Sequence, residues 1–96
     1  MTQSQTIMAT LKAHLPELRE MGIKDLYVFG SVAREEDNPH DVDILVDFDV
    51  TPSLIGFSGI QRRLEDLLEA PVDLVTRRAC PELLYQSILP ELRHVA

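Results

Sequence analysis

The sequence has no tryptophan, a single cysteine, and aromatic residues at only 5% of its 96 positions. An aliphatic core is therefore expected. Cys80 has no partner for an internal disulfide and no spaced companion for a structural zinc, which fits a reducing compartment. The longest unbroken apolar run, Leu26-Tyr27-Val28-Phe29, is far too short to span a membrane, and the N-terminus lacks the basic-then-apolar pattern of a secretion signal. A cytoplasmic protein with no membrane partner is expected. Positive charge is missing too, but only locally. No Lys or Arg lies between Glu35 and Asp49, where seven of the sixteen acids are found, while the other nine acids are matched by nine bases. The net charge of −7 thus belongs to one segment. Such a cluster repels a phosphate backbone, so direct nucleic-acid binding through counterion release is not expected. Divalent cations would reverse the local sign. The ordinary alternative is a solvated acidic loop.

Apolar residues make up 45% of the chain and charged residues 26%, a globular composition, and the length suits one domain over residues 1–96. Ile7, Leu11, Leu15 and Leu18 recur at three- and four-residue spacing, predicting a helix from about Thr6 to Met21 that Pro16 restarts or kinks. Gly22 ends it, and Leu26–Phe29 reads as the first strand. In Val42–Phe48 the apolar Ile44, Val46 and Phe48 alternate with Asp43, Leu45 and Asp47, predicting a second strand with one apolar face and one acidic face. Ser53 can cap a helix reaching Leu68, with Ile60, Leu64, Leu67 and Leu68 as its buried stripe. Val72–Val75 gives a third strand, and Pro81 opens a last helix with Leu84, Ile88 and Leu89 on one face before Pro90 interrupts it. The expected class is α+β (α/β), a small mixed sheet with helices packed on it.

The first strand ends in Gly30-Ser31, and Val32 to Glu35 can form a short helix. Glycine there permits a positive φ or a close backbone approach, and amides at a helix start suit a phosphate. A plain strand-to-helix turn capped by Ser31 is the alternative. Ten positions beyond Ser31, Asp41 and Asp43 share one face of the second strand, anchored by Val42 and Ile44. Two carboxylates on one rigid edge are either solvated or hold hard cations through oxygen. Asp73, set among Val and Leu in the third strand, also calls for a partner unless it lies on an exposed face or edge. His14, His40 and His94 show no metal-ligand spacing, and Cys80 before Pro81 reads as structural. Arg62-Arg63 and Arg77-Arg78 read as solvated surface, although the second pair directly follows the third strand and is near enough in sequence to reach a nucleotide.

Three segments, Phe29-Gly30-Ser31-Val32-Ala33-Arg34, Asp41-Val42-Asp43-Ile44-Leu45-Val46 and Val72-Asp73-Leu74-Val75-Thr76, together resemble the nucleotidyltransferase superfamily that includes DNA polymerase β, and within it the minimal nucleotidyltransferases, or MNT domains. The nine residues Val32 to His40 between Ser31 and Asp41 are one fewer than is usual in that family, and His40 stands where a small Ser often precedes the first Asp. The resemblance implies a nucleotidyltransferase fold and in-line transfer of a nucleoside monophosphate from a triphosphate to a hydroxyl. It also implies that Asp41, Asp43 and Asp73 bind divalent magnesium or manganese, with Asp73 on the acceptor side helping to remove its proton. Gly30 and Ser31 would grip the outgoing phosphates. Arg34 would pair with a phosphate or neutralise Glu35, Glu36 or Asp37 at the surface.

Stand-alone MNT proteins of this size resemble the antitoxin half of bacterial toxin–antitoxin pairs whose toxin is a helical HEPN ribonuclease. Members transfer AMP from ATP to a toxin tyrosine. The resemblance therefore implies a hetero-oligomer with a HEPN-family toxin and ATP as substrate. A catalytically silent antitoxin that acts by binding is the second expectation, and a small-molecule nucleotidyltransferase the third. All three acids being present beside Gly-Ser favours an enzyme, and the short chain leaves no second domain to hold a small acceptor.

Overall fold

The computed structural model describes residues 3–34 and 41–96. Two helices open the chain, α1 (Gln3–Ala13) and α2 (Leu15–Glu20). The helix is restarted as expected, with Pro16 in the first turn of α2, where its missing N–H breaks no hydrogen bond. Gly22, at φ +90°, ends α2, and β1 (Ile23–Phe29) begins three residues earlier than expected. The helix α3 (Gly30–Ala33) starts at the glycine itself, not at Val32, and Glu35 lies outside the described residues. Then come β2 (Val42–Phe48), α4 (Leu54–Leu68), β3 (Val72–Thr76), α5 (Glu82–Ile88), a 3₁₀ turn (Leu89–Glu91) and β4 (Arg93–His94). Ser53 caps α4 as its sequence suggests, its hydroxyl accepting from the Gly56 amide at 3.0 Å.

The sheet order is β3-β2-β1-β4. β1 pairs antiparallel with β2 and β4, whereas β2 and β3 run parallel, joined by the α4 crossover, so the sheet is mixed as expected. Strand alternation sends Leu26, Val28, Val42, Ile44, Val46, Val72 and Leu74 to one face. There they meet Ile7 and Leu11 of α1, Leu18 of α2, and Ile60 and Leu64 of α4. Each fully buried aliphatic side chain of this kind stabilises the fold by about 1.5–3 kcal/mol. On the opposite face Phe29, Leu45, Cys80 and Ile88 form a smaller cluster with Tyr27, Val75, Tyr85 and Leu92 around it. Side chains of α4 also fasten the outer edge of β3. Gln61 Nε2 donates to the Val72 carbonyl at 2.9 Å, and the Val72 amide donates to Glu65 Oε2 at 3.0 Å.

Three expectations need correction. In α5 only Ile88 of the expected apolar face is buried, while Leu84 and Leu89 are 41% and 44% exposed. The helix is short and rests on a narrow patch through Tyr85 and Ile88, so its other leucines find nothing to cover them. In α4 the stripe is buried at Ile60 and Leu64, but Leu67 and Leu68 are only half-buried. β4 was not expected at all, because a two-residue strand has no periodicity and exists only through pairing with Tyr27 and Val28.

Candidate active site

β2 carries the acids to the thinly covered face. Asp43 lies opposite Phe29 of β1 and beside Asp73 of β3 in the parallel register, on strands about 4.8 Å apart. Asp41 stands just before the strand, near enough for its charge to act on Asp43. Asp41 and Asp73 are exposed, whereas Asp43 is half-buried. Burial, first, and the neighbouring charges of Asp73 and Asp41 push the Asp43 carboxyl above its ordinary value; Arg34 opposes this, and Glu91 adds a little to it. The three expected acids are therefore gathered at one end of the sheet, with Asp43 at the centre.

Gly30 is fitted to that carboxylate. Its φ is +74°, and a Cβ there would overlap the Asp43 carboxylate, with Cγ only 3.1 Å away. Both reasons for glycine anticipated from sequence, positive φ and close approach, apply at this one position. Ser31 follows, half-buried in α3. The Gly30 amide is not free to face a ligand, because it donates to Glu91 Oε2 at 3.2 Å. Arg34 Nη1 donates to both oxygens of the same carboxylate at 3.0 Å. Glu91 was missed from sequence, and no local signal marks it; the 3₁₀ turn brings it to Gly30 from 61 positions away. Glu35, Glu36, Asp37 and His40, named from sequence, lie outside the described residues.

The other candidates sit elsewhere. Arg77 stacks 3.6 Å over the Tyr85 ring and lies 3.8 Å from Glu82, and Arg78 donates to Thr51 Oγ1 at 3.2 Å. Four positions of strand separate Arg77 from Asp73, about 13 Å at the usual rise. A cavity of about 350 Å³, lined by Asp47, Phe48, Thr51, Thr76 and Arg78 among others, is at this far end of β2 and β3, away from the acids. His14 lies 2.9 Å from the Thr10 carbonyl through Nδ1, and His94 stacks against Tyr27 with ring centres 4.8 Å apart.

Among the described residues no group of three or more His, Cys, Asp or Glu side chains stands close enough together to hold a metal ion by itself. The donor set still fits a hard divalent cation. Magnesium is commonly held by one or two carboxylates plus substrate phosphates, and Asp43 with its register neighbour Asp73 and the nearby Asp41 offers only oxygen ligands whose mutual repulsion a cation would relieve.

Comparison with known proteins places this geometry among relatives. The nucleotidyltransferase domain family matches residues 11–93. Protein adenylyltransferase MntA of Thermococcus cleftensis is 41% identical over 93 residues, covering 95% of this chain and 94% of that protein. A solved structure described as a minimal nucleotidyltransferase superposes with a TM-score of 0.80 at 33% identity, covering 97% of this chain and 95% of the other. A chain from the complex of a tri-AMPylated Shewanella oneidensis HEPN toxin with its MNT antitoxin shares the fold, at a TM-score of 0.71 and 23% identity, covering 97% of this chain and 71% of that one.

Proposed function

The chain belongs to the nucleotidyltransferase domain family, and from that premise we propose that it transfers AMP from ATP to a hydroxyl, a tyrosine of a cognate HEPN-family toxin, and so acts as an antitoxin. The observation that carries this reading is the parallel register that sets Asp43 beside Asp73, with the charge of Asp41 acting on Asp43 and Gly30 closed against it. Support for a protein acceptor comes from the 41% identical relative, which is a protein adenylyltransferase.

In this mechanism Asp41, Asp43 and Asp73 would hold magnesium or manganese. When bound, the cations supply neutralisation of the triphosphate and of the charge that grows on the attacking and leaving oxygens. Asp73, exposed at the rim, accepts the proton of the incoming hydroxyl. The freed oxygen bonds to the α-phosphorus as the bond to the β-phosphate oxygen breaks, and pyrophosphate leaves. Ser31 contributes a hydroxyl to the phosphates and Arg34 a guanidinium. Gly30 acts through the space its missing side chain leaves for Asp43. The local acidity disfavours RNA or DNA as acceptor and makes the cation a condition for holding ATP. A cytoplasmic site of action belongs to the same reading, since the lone thiol, Cys80, is buried and unpaired.

The test is incubation of the protein with ATP, magnesium and its cognate toxin, followed by mass spectrometry of toxin peptides and a ribonuclease assay. AMP increments on a tyrosine peptide with loss of ribonuclease activity are expected, and chelation should abolish both. Equal neutralisation by the Asp41→Asn, Asp43→Asn double variant without any adduct would instead identify an antitoxin that acts by binding alone.

A further inference from the structure

We propose that Glu91 is a positioning residue for the nucleotide site: its carboxylate fixes the Gly30 backbone and the Arg34 guanidinium in the arrangement that receives the triphosphate. The inference rests on the nucleotide reading above and assigns a role to a residue outside all three sequence segments that suggested it.

Glu91 bridges two groups that must be held relative to each other. Its Oε2 accepts from the Gly30 amide at 3.2 Å, and both of its oxygens lie 3.0 Å from Arg34 Nη1. One carboxylate thus spans the first residue of α3 and the residue just after its last turn. Hydrogen bonds to an ionised group are stronger and more directional than neutral ones. Gly30 most needs such a restraint, because its positive φ is a conformation a glycine leaves easily, and its backbone is what abuts the Asp43 carboxylate. A slack Gly30 would loosen Asp43. The Glu91 oxygens confine one end of the Arg34 guanidinium, whose side chain is about half exposed. The Glu91 side chain is less exposed than Arg34, at 28% against 47%, as expected if the acid is the fixed member of the pair. Its anchor is the packed C-terminal segment, where Ile88 and Leu92 join the Phe29 and Leu45 cluster.

Glu91→Ala and the near-isosteric Glu91→Gln test this, with thermal melts confirming that each variant folds. Glu91→Ala should weaken magnesium–AMP-PNP binding by calorimetry about tenfold and raise the KM for ATP by a similar factor. Its kcat should fall less than about threefold, because the interaction serves ground and transition states alike. Glu91→Gln, which keeps an oxygen to accept from Gly30 or Arg34, should recover part of the loss. Hydrogen exchange of the Gly30 amide, followed by NMR, should accelerate in Glu91→Ala whether or not any transfer is measured. Failure of the wild type to transfer AMP would count against the proposed function alone, since AMP-PNP affinity and Gly30 exchange still decide the role of Glu91. Unchanged affinity and exchange would reduce Glu91 to a surface ion pair. Tighter nucleotide binding in Glu91→Ala would make it a competitor for the phosphate position, which also overturns the proposal.

Discussion

The two faces of the sheet are covered to very different depths. Under α1, α2 and α4 lies a continuous aliphatic layer in which Leu11, Leu18, Leu26, Ile44 and Leu64 are fully enclosed. Under α5 the buried cluster shrinks to Phe29, Leu45, Cys80 and Ile88, and the rest of that face holds Asp43, Asp73, Gly30 and Glu91. β2 belongs to both, with Ile44 and Val46 facing one way and Asp43 and Leu45 the other. One side of the strand secures the backbone, which lets the other side hold charges that repel each other. Stability and chemistry are thereby separated by the pleat of a single strand.

Substitutions on the two sides should separate in the same way. The largest effect is expected for Asp43→Asn, which should reduce AMP transfer about 10³-fold or more while leaving the protein folded. Toxin labelling and a thermal melt on the same sample measure both, and loss of the fold would break the comparison. Next is Leu64→Ala in the deep layer, expected to lower unfolding free energy by about 2–5 kcal/mol, with Ile88→Ala under α5 nearer the bottom of that range. Urea unfolding compares the pair, and equal losses would mean that the thin face is structurally as important as the thick one. Gly30→Ala should cost about 1–3 kcal/mol of stability through its positive φ and displace the Asp43 carboxylate, so that transfer suffers more than folding.

The smallest effect is a gain. Because the folded environment holds the Asp43 carboxyl above its ordinary value, its ionised form opposes folding at neutral pH, and this penalty fades as pH falls through the raised value. Asp43→Asn should therefore raise the melting temperature at pH 7 by a few degrees at most, less than about 1 kcal/mol after solvent screening. The gain should shrink on acidification. A gain that grew toward acid pH would show that the charge on Asp43 supports the fold.

Much of this division was legible in the sequence because it is written in short-range patterns. Alternation in Val42–Phe48 indicated both faces of β2, Ser53 marked a cap, and Gly30, Asp43 and Asp73, singled out together, do lie together at one end of the sheet. What stayed hidden depends on contacts between distant segments. Glu91 meets Gly30 only after the sheet has formed, and β4 is a strand only because β1 is there to pair with it. The leucines in and just after α5 misled for a related reason. Leu84 and Leu89 have helical spacing, but the area beneath a helix is set by the neighbouring strands and not by its own sequence.

The attachment of α4 to the rim of the sheet has a consequence for crowding. β3 is an outermost strand, and a strand in that position presents unpaired amides and carbonyls to any other extended chain, which is a common start of aggregation. Gln61 and Glu65 occupy the carbonyl and the amide of Val72, the first residue of that rim. In a parallel strand alternate residues face outward, so Leu74 and Thr76 are left to offer their groups, too few to fix the register of an intruding strand. The fold thus carries its own protection against strand-by-strand association at the edge beside Asp73.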